Sequence, residues 1–326
     1  MDAAERDLAI KAAWLSYVAG LTQAEIADRL SVSRIKAHRL IAGAHEAGLV
    51  TVLIEGQPAA CVALEDRLAD RFELKSATIV PTLGRGDDTG IAESLPALGM
   101  AGARFLHHFL ERDASSVIGI GWGRTLAALA ERMPRIARPS ARFVSLIGSL
   151  TRKAAANPFD VVHRLADRTG GEAYFLPVPF ITDNVADAKV LAGQKSVRDV
   201  LALARQADLY VVSIGELTPS THLRRSGLIT EAEYHELRRA AAVGDVIGNF
   251  IGADGRVINA EINERALGLG LEELRGRQVI AVAGGVVKAS AILAALRTGV
   301  ITGLITDEAA AVAILTEADR RPALAI

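Results

Sequence analysis

The sequence predicts an α/β protein with a small all-helical unit at its N-terminus. From about residue 56 onward, short runs rich in β-branched residues alternate with helical segments. This alternation is typical of a doubly wound, mostly parallel sheet covered on both faces. Residues 8–49 instead show helical periodicity without strand-like alternation. Because 326 residues exceed one typical domain, we expect two, at residues 1–55 and 56–326.

The composition excludes several classes of protein. Hydrophobic residues make up 50% of the chain and charged residues 23%, which are ordinary values for a globular protein. The 37 basic and 38 acidic residues leave a net charge of −1, so any binding to nucleic acid must depend on local charge. The single cysteine, Cys61, cannot form an internal disulfide or a cysteine metal cluster, which is typical of a reducing cytosol.

Nothing near the N-terminus predicts export or membrane insertion. The acidic residues Asp2, Glu5 and Asp7 stand where a signal peptide would have a basic stretch. No uncharged apolar run approaches the ~18 residues that a membrane span requires. We therefore expect a cytoplasmic protein with no membrane partner, no metal and no cofactor.

Three short helices are predicted in the N-terminal unit, at residues 8–17, 23–30 and 34–47. Thr22 and Glu25 have the spacing of a capping box at the start of the second helix. Ser33 is a good N-cap for the third helix. The resulting order of helix, three-residue turn and helix is the supersecondary unit that many proteins use to read DNA.

The third predicted helix carries a local cluster of positive charge. From Arg29 to Arg39 the only charged residues are four cations. Arg34, at the helix start, can bind guanine through two parallel hydrogen bonds. Lys36 and Arg39 are better placed for phosphates, and His38 could do either. The predicted DNA-binding residues are Thr22, Gln23, Ser33, Arg34, Lys36, His38 and Arg39. The alternative is that this basic face is only a solvated surface.

This region resembles the helix-turn-helix of the SorC family of bacterial transcriptional regulators. The similarity covers residues 20–34, continues through Arg39 and Leu40, and ends at residues 47–50. In that family the third helix usually carries Val-Ser-Arg-Leu, where this chain has Ala-His-Arg-Leu ending at Leu40. The resemblance implies an operator-binding unit in which His38 marks a different operator preference.

In the C-terminal unit the pattern predicts seven strands, at residues 77–80, 116–120, 143–147, 173–176, 209–214, 279–283 and 303–305. Five helices are expected between or after them, at residues 126–133, 161–168, 197–206, 231–242 and 289–297. Asp254 and Gly255, between residues 246–251 and 256–259, predict a hairpin turn added to the main sheet. Residues 62–72 are predicted to be an amphipathic connector.

The first candidate ligand loop is Gly121-Trp122-Gly123-Arg124-Thr125, between a strand and a helix. Ligands bind at the carboxyl ends of parallel strands, where glycines let backbone N–H groups approach a phosphate at a helix start. Arg124 and Thr125 offer further donors, and Trp122 either stacks on the ligand or packs inside the protein. A dinucleotide site is disfavoured, because the glycine spacing is G-x-G-x-G and the next strand contains no acid. Alternatively, the glycines serve only strand-to-helix packing.

The second candidate loop contains Gly284, Gly285 and Lys288, after the predicted strand at residues 279–283. A lysine at a helix start is unfavourable for the helix dipole, so a ligand phosphate is the favoured partner of Lys288, with a solvated side chain as the alternative. Asp245 and Asn157 could bind sugar hydroxyls, although each is also an ordinary turn residue.

Thr306 and Asp307 follow a further predicted strand. Their ordinary role would be to begin a helix, with Thr306 as its N-cap and Asp307 in its first turn. Asp307 is nevertheless kept as a ligand candidate. The predicted ligand-binding residues are Gly121, Trp122, Gly123, Arg124, Thr125, Asn157, Asp245, Gly284, Gly285, Lys288 and Asp307.

These segments are similar, in order and spacing, to the sugar-binding domain of the SorC family. The resemblance implies the fold of glucosamine-phosphate and ribose-phosphate isomerases, used to sense phosphorylated sugars or polyols instead of converting them. By that resemblance, phosphate would be held by Gly121, Gly123, Thr125 and Lys288, and hydroxyls by Asp245. Two acids commonly precede the lysine in this family, and here they are Val286 and Val287, so the pocket is less polar. Members that control the use of erythritol or other polyols are similar.

These features predict a DNA-binding transcriptional regulator, not an enzyme, whose operator affinity is controlled by a small carbohydrate or polyol that carries phosphate. Because one helix-turn-helix gives a small interface, we expect a homo-oligomer, a dimer or tetramer, that presents paired recognition helices to DNA. The alternative is an isomerase-like enzyme that retains catalysis, with Asp245, Asp307 or Glu308 as its base. An enzyme, however, has no use for a DNA-reading unit.

Overall fold

The computed structural model describes residues 2–50, 58–82, 91–150 and 160–320. The chain divides into two compact units, Met1–Gly56 and Gln57–Ile326. In the described residues the first unit is helical, whereas the second contains a seven-stranded parallel sheet and a separate three-stranded antiparallel sheet. The predicted α/β class is confirmed.

The first unit contains α1 Ala3–Ala13, a π-helical segment Trp14–Val18, α2 Gln23–Leu30 and α3 Arg34–Glu46. α1 starts earlier than the predicted residue 8, because Asp2 caps it by accepting a hydrogen bond from the Glu5 N–H group. α2 ends at Ser31, whose φ of 54° is left-handed and reverses the chain. The short turn to α3 allows buried side chains of the helices to close a small core, formed by Ala9, Ala12, Ala13, Ile26, Ala27, Ala37, Leu40 and Ala44.

The strands of the second unit are β1 Ser76–Val80, β2 Val117–Ile120, β3 Arg142–Leu150, β4 Glu172–Pro179, β5 Leu209–Val212, β6 Ile214–Glu216, β7 Ala242–Val246, β8 Asn249–Gly252, β9 Val279–Val282 and β10 Gly303–Asp307. The α-helices are α4 Ala59–Phe72, α5 Ile91–Arg112, α6 Arg124–Arg132, α7 Val161–Thr169, α8 Val185–Ala192, α9 Lys195–Arg205, α10 His222–Arg225, α11 Glu231–Arg239, α12 Glu261–Arg265, α13 Ala289–Arg297 and α14 Glu308–Arg320. None of the helices in the described ranges has the length and apolar character that crossing a bilayer requires.

The two faces of the large sheet pack into separate hydrophobic clusters. In β5, Leu209 and Val211 belong to a cluster with residues of α5, α6 and α7. Tyr210 and Val212 belong to a cluster with residues of α4, α9, α13 and α14. Because successive side chains of a strand point to opposite faces, a continuous apolar run is what a sheet covered on both sides needs.

The strand order brings the two predicted ligand loops to the same edge of the sheet. The order is β1-β10-β9-β5-β2-β3-β4, and β5 pairs in parallel with both β2 and β9. The loops that follow β2, β5 and β9 therefore lie side by side at the carboxyl edge, the usual ligand-binding edge of such sheets.

The predicted hairpin is wrong in two respects. Residues 246–251 do not form one strand, because the chain reverses at Ile247 and Gly248, with φ values of 44° and 79°, between β7 and β8. β7 pairs with β8 on one side and with β6 on the other, so these strands belong to the small sheet and are not added to the large one. Asp254 and Gly255 do form a turn. After it, Val257 makes an isolated antiparallel bridge with Ile251 of β8.

The strand predicted at residues 209–214 is two strands. β5 ends at Val212 and β6 begins at Ile214, so Ser213 marks where the chain leaves the large sheet and joins the small one. This break places β6 beside the loop that precedes α6, where Ser213 Oγ donates a hydrogen bond to the Trp122 carbonyl oxygen at 2.5 Å.

Candidate functional site

A pocket lies at the carboxyl edge of the large sheet, between the loop that precedes α6 and the small sheet. Its lining residues are Trp122, Gly123, Arg124, Thr125, Ser213, Ile214, Gly215, Glu216, Thr221, His222, Leu223, Asp245 and Lys288. The predicted ligand residues that meet here are Trp122, Gly123, Arg124, Thr125, Asp245 and Lys288. Sequence reasoning missed the contribution of β6 and of the start of α10.

The start of α6 offers backbone donors to the pocket. Gly123 has a φ of 123°, which side chains rarely adopt, so this position requires glycine. No side chain caps α6 among the residues described, which leaves the first N–H groups of the helix for solvent or a ligand. Arg124 is half-buried and joins none of the ion pairs found in the described part of the chain. The loop can therefore bind an anion through backbone and side chain together.

Lys288 is buried at the centre of the site, with only 7% of its surface exposed. Its Nζ donates a hydrogen bond to the Ile214 carbonyl oxygen at 2.5 Å and lies 3.4 Å from Glu216 Oε2. Burial lowers the pKa of Lys288, and Glu216 opposes that shift. The predicted ammonium group thus faces the pocket with one carboxylate already beside it.

Glu216 is a pocket residue that the sequence did not predict. It ends β6, is buried, and pairs across the small sheet with Gly244. An acid within the apolar stretch after β5 is a usable signal, because a buried carboxylate needs a partner. That partner is Lys288, which is far away in sequence and so gives no local motif.

Asp245 is buried on β7 and faces Gly215 of β6. A side chain at position 215 would collide with the Asp245 carboxylate, so glycine makes room for it. Asp245 Oδ2 accepts a hydrogen bond from the Gly248 N–H group at 3.1 Å. Burial raises the pKa of Asp245 to about 6, and Gly248 and Lys288 oppose the shift. This carboxyl group can accept or donate hydrogen bonds near neutral pH.

Replacing Asp245 with asparagine is expected to stabilise the protein at pH 7.5 more than at pH 4. The pKa of Asp245 rises on folding from 3.8 to about 6. The stabilisation that the proton on the Asp245 carboxyl group contributes is therefore fully present below pH 3.8, and it is lost as the pH rises through about 6. A shift of this size corresponds to about 2 to 3 kcal/mol in the free energy of unfolding.

Urea unfolding of Asp245→Asn at both pH values measures this difference. Asp254→Asn, which makes the same replacement at an exposed acid, is the matched control. An equal effect of Asp245→Asn at pH 4 and pH 7.5 would contradict the assignment.

Aromatic side chains form one wall of the pocket. The ring of Trp122 packs edge-to-face on Phe180 with centroids 5.4 Å apart, and it lies 6.4 Å from the ring of His222. Burial lowers the pKa of His222, and the nearby Arg124 adds to that shift. His222 is therefore neutral at pH 7 and can donate or accept a hydrogen bond. Trp122 is half-buried: it packs on Phe180 and also lines the pocket.

Gly284 and Gly285 precede Lys288 in the loop after β9, and Asp307 ends β10; none of the three is among the lining residues found in the described ranges. Asp307 is buried, and its two carboxylate oxygens accept hydrogen bonds from the N–H groups of Gly285 at 2.5 Å and Ala310 at 2.9 Å. A side chain at position 284 would collide with this carboxylate. The contacts fix the loop that carries Lys288, and direct ligand contact by these three residues stays a prediction.

Two further predictions concern residues near these loops. Thr306 does not cap α14, because Asp307 accepts the hydrogen bond at the helix start and Thr306 belongs to β10. The predicted cap is therefore wrong by one residue. Asn157 lies outside the described residues, and Gly121 lies just before the pocket-lining loop, at the end of β2.

The helix-turn-helix of the first unit presents its predicted DNA contacts at the surface. Thr22 and Glu25 form the predicted capping box, with the Thr22 N–H donating to Glu25 Oε2 at 2.8 Å. Ser33 caps α3 by accepting the Lys36 N–H at 3.2 Å. Arg34 is exposed and, in the described part of the chain, joins no ion pair. The other predicted contacts, all exposed or half-buried, are Gln23, Lys36, His38 and Arg39.

Comparison with known proteins matches both units. Residues 57–316 match the Sugar-bind family model, which describes a sugar-binding domain. Over 314 residues the chain is 42% identical to the "Erythritol catabolism regulatory protein EryD" of Brucella abortus, covering 96% of this chain and 97% of that protein. It is 34% identical over 316 residues to the "Transcriptional regulator LsrR" of Klebsiella pneumoniae, covering 96% and 94%. The solved full-length sorbitol operon regulator SorC of Klebsiella pneumoniae aligns with a TM-score of 0.69 and 25% identity, covering 96% and 100%.

Proposed function

The chain belongs to the SorC family of sugar-binding transcriptional regulators, and from this membership we propose that it binds operator DNA under the control of a small phosphorylated polyol or sugar. The helix-turn-helix would read the operator and the pocket of the second unit would bind the effector. The protein would work in the cytoplasm, where bacterial DNA is found.

The observation that carries the effector proposal is the mixture of charges in the pocket. The uncapped start of α6 and the half-buried Arg124 favour an anion, whereas the buried acids Glu216 and Asp245 favour hydroxyl groups. A polyol phosphate carries both kinds of group on one small molecule. The name of the Brucella relative, an erythritol catabolism regulator, supports four-carbon polyols as the first class to test.

A thermal-shift screen of the full-length protein tests the effector class. The probes are erythritol, erythritol phosphate, ribose 5-phosphate, glucosamine 6-phosphate and inorganic phosphate. A ligand present at about 100 times its Kd stabilises the native state by about 2.7 kcal/mol, which raises the Tm by several degrees. We expect the phosphorylated polyol to give the largest shift. A larger shift with free erythritol would contradict the proposal that the effector carries phosphate. No shift with any probe would contradict the proposal that the pocket binds an effector of this class.

We propose sensing without catalysis. The relatives are named as regulators, and a DNA-binding unit is useful to a protein that senses a ligand and regulates transcription, whereas an enzyme has no use for one. Asp245, with its pKa near 6 and its place beside Lys288, is the residue that a retained isomerase activity would use as a base. Turnover assays with ribose 5-phosphate and glucosamine 6-phosphate should show no conversion, and steady turnover that Asp245→Asn removes would overturn this part of the proposal.

Replacing Arg34 with alanine is expected to weaken operator binding by about 1 to 3 kcal/mol and to relax the preference at one base pair, because an arginine that binds guanine makes two hydrogen bonds. Fluorescence anisotropy with operator variants measures both effects. Arg6→Ala, on α1, is the matched control and should bind normally. An Arg34→Ala protein with wild-type affinity and base preference would exclude this role.

We also propose that the protein acts as a homo-oligomer. A single helix-turn-helix contacts too small a DNA surface for tight specific binding, so two recognition helices on spaced half-sites are needed. Sedimentation of the free protein and footprinting on DNA measure the two parts of this proposal. A monomer that protects a single half-site would contradict it.

A further inference from the structure

Ile35 is exposed to an unusual degree. It is 82% exposed, more than any other large hydrophobic residue in the described part of the chain. It is the second residue of α3, between Arg34 and Lys36. Isoleucine is β-branched, so an exposed helix position gains nothing from its helix propensity, and leaving it in water forgoes the burial that most isoleucines have.

The geometry of α3 places Ile35 on the face that points away from the core. The buried residues of this helix are Ala37, Leu40 and Ala44. With about 100° between successive residues, Ile35 lies roughly 160° around the helix axis from Ala37. Arg39, four residues after Ile35, lies on the same outward face. The outward face of α3 thus has an apolar residue at its N-terminal end.

The charges on α3 near Ile35 favour DNA as its partner. Arg34 and Lys36 flank it in the sequence, Arg39 lies one turn later on the same face, and α3 has no acid before Glu46 at its last position. This surface repels cationic partners and attracts phosphates. In the major groove of DNA, the apolar group that a side chain can contact is the C5-methyl group of thymine. An isoleucine set among phosphate-binding cations matches that combination.

We propose that Ile35 is a specificity-determining residue that reads a thymine through van der Waals contact with its methyl group. The inference rests on the proposed function and adds a base preference that the cationic residues do not supply. Arg34 would select guanine by hydrogen bonds, while Ile35 selects thymine by its shape and apolar surface. The operator half-site would therefore contain a thymine within reach of the start of α3.

The test uses DNA selected from a random duplex library by the purified full-length protein. Each thymine of the selected site is replaced in turn by 2′-deoxyuridine, which lacks only the methyl group. We expect one position per half-site to lose about fourfold in affinity, the value of one buried methyl group. Ile35→Ala should bind unmodified DNA with a similar loss, and should lose nothing further at that deoxyuridine.

Two control variants make the result specific. Val18→Ala removes another exposed apolar side chain of the same unit, 67% exposed in the π-helical segment, and should keep the full sensitivity to deoxyuridine. Ile35→Val keeps a branched side chain and should keep part of the sensitivity to deoxyuridine. Because Ile35 is exposed, its variants should fold normally, as circular dichroism can check.

The outcomes separate this inference from the function on which it rests. A wild-type protein that enriches no sequence from the library would contradict the regulator itself. A wild-type protein that selects a site but tolerates every deoxyuridine would overturn the role of Ile35 alone. The same holds if Ile35→Ala remains as sensitive as the wild type to the loss of one methyl group.

Discussion

Replacing Lys288 with methionine is expected to abolish the response to effector while leaving operator binding close to normal. Methionine keeps the apolar stem of the side chain and removes its charge. Because the lost group is a buried charge that would bind the phosphate, effector affinity should fall by about 100-fold or more, equivalent to about 3 kcal/mol. The measurement is the change in binding of labelled operator DNA during titration with the strongest probe from the thermal-shift screen.

The ion pair with Glu216 means that Lys288→Met also changes stability, and a double variant separates this effect from effector binding. Lys288→Met leaves the buried Glu216 carboxylate without its cation, which should cost about 3 kcal/mol in the free energy of unfolding. The double variant Glu216→Gln/Lys288→Met removes both charges and should recover most of that stability. If Lys288 binds the effector, the double variant remains unresponsive. If it recovers the response together with the stability, Lys288 serves only the ion pair.

Replacing Gly244 with alanine is expected to destabilise the second unit by about 2 to 4 kcal/mol, because the added carbon has no space. It would collide with the Gly215 carbonyl oxygen on β6 and lie 2.7 Å from the Cβ atom of Ala291 on α13. Both neighbours belong to packed elements that cannot move separately. Since β6 carries Glu216, the same substitution should also weaken effector binding.

Urea unfolding of Gly244→Ala measures the loss. Gly270→Ala is the matched control within the same unit, because its added carbon would meet only ordinary contacts, 3.6 Å or more from Glu273. Its stability should change by less than about 0.5 kcal/mol. Equal stability of the two variants would show that β6 and β7 can separate without cost.

The parts of the fold that depend on local sequence patterns could be predicted from the sequence. β2 and β9 are buried apolar runs, and each is followed by a glycine-containing loop and a helix. Gly123 is recognisable because a tight strand-to-helix turn needs its unusual φ. Lys288 is recognisable because a cation at a helix start requires an explanation. These signals depend only on neighbours in the chain.

The small sheet could not be predicted in the same way. Ile247 has a left-handed φ of 44°, although isoleucine is typical of strands and rare in such turns. Asp254 and Gly255 form the stronger local turn signal, so the reversal was expected there instead. Glu216 and His222 reach the pocket only because β6 leaves the large sheet at Ser213, and that departure depends on long-range packing.

α5 also escaped prediction, for a related reason. It contains Pro96 together with Gly99 and Gly102, which lower the helical signal of the sequence. The structure shows why glycine is needed at both positions. A side-chain carbon would lie 2.6 Å from the Ala128 carbonyl oxygen at position 99 and 2.7 Å from Leu129 Cδ1 at position 102. Close packing of α5 on α6 thus overrides the local preference.

The pairing of Lys288 with Glu216 has a consequence for the dose at which the sensor responds. A carboxylate of the protein already neutralises the ammonium group, so an incoming anion has to displace it in competition. Weak or incomplete mimics of the effector would fail that exchange. The protein would therefore respond at higher effector concentrations than one whose pocket held an ammonium group without a carboxylate beside it.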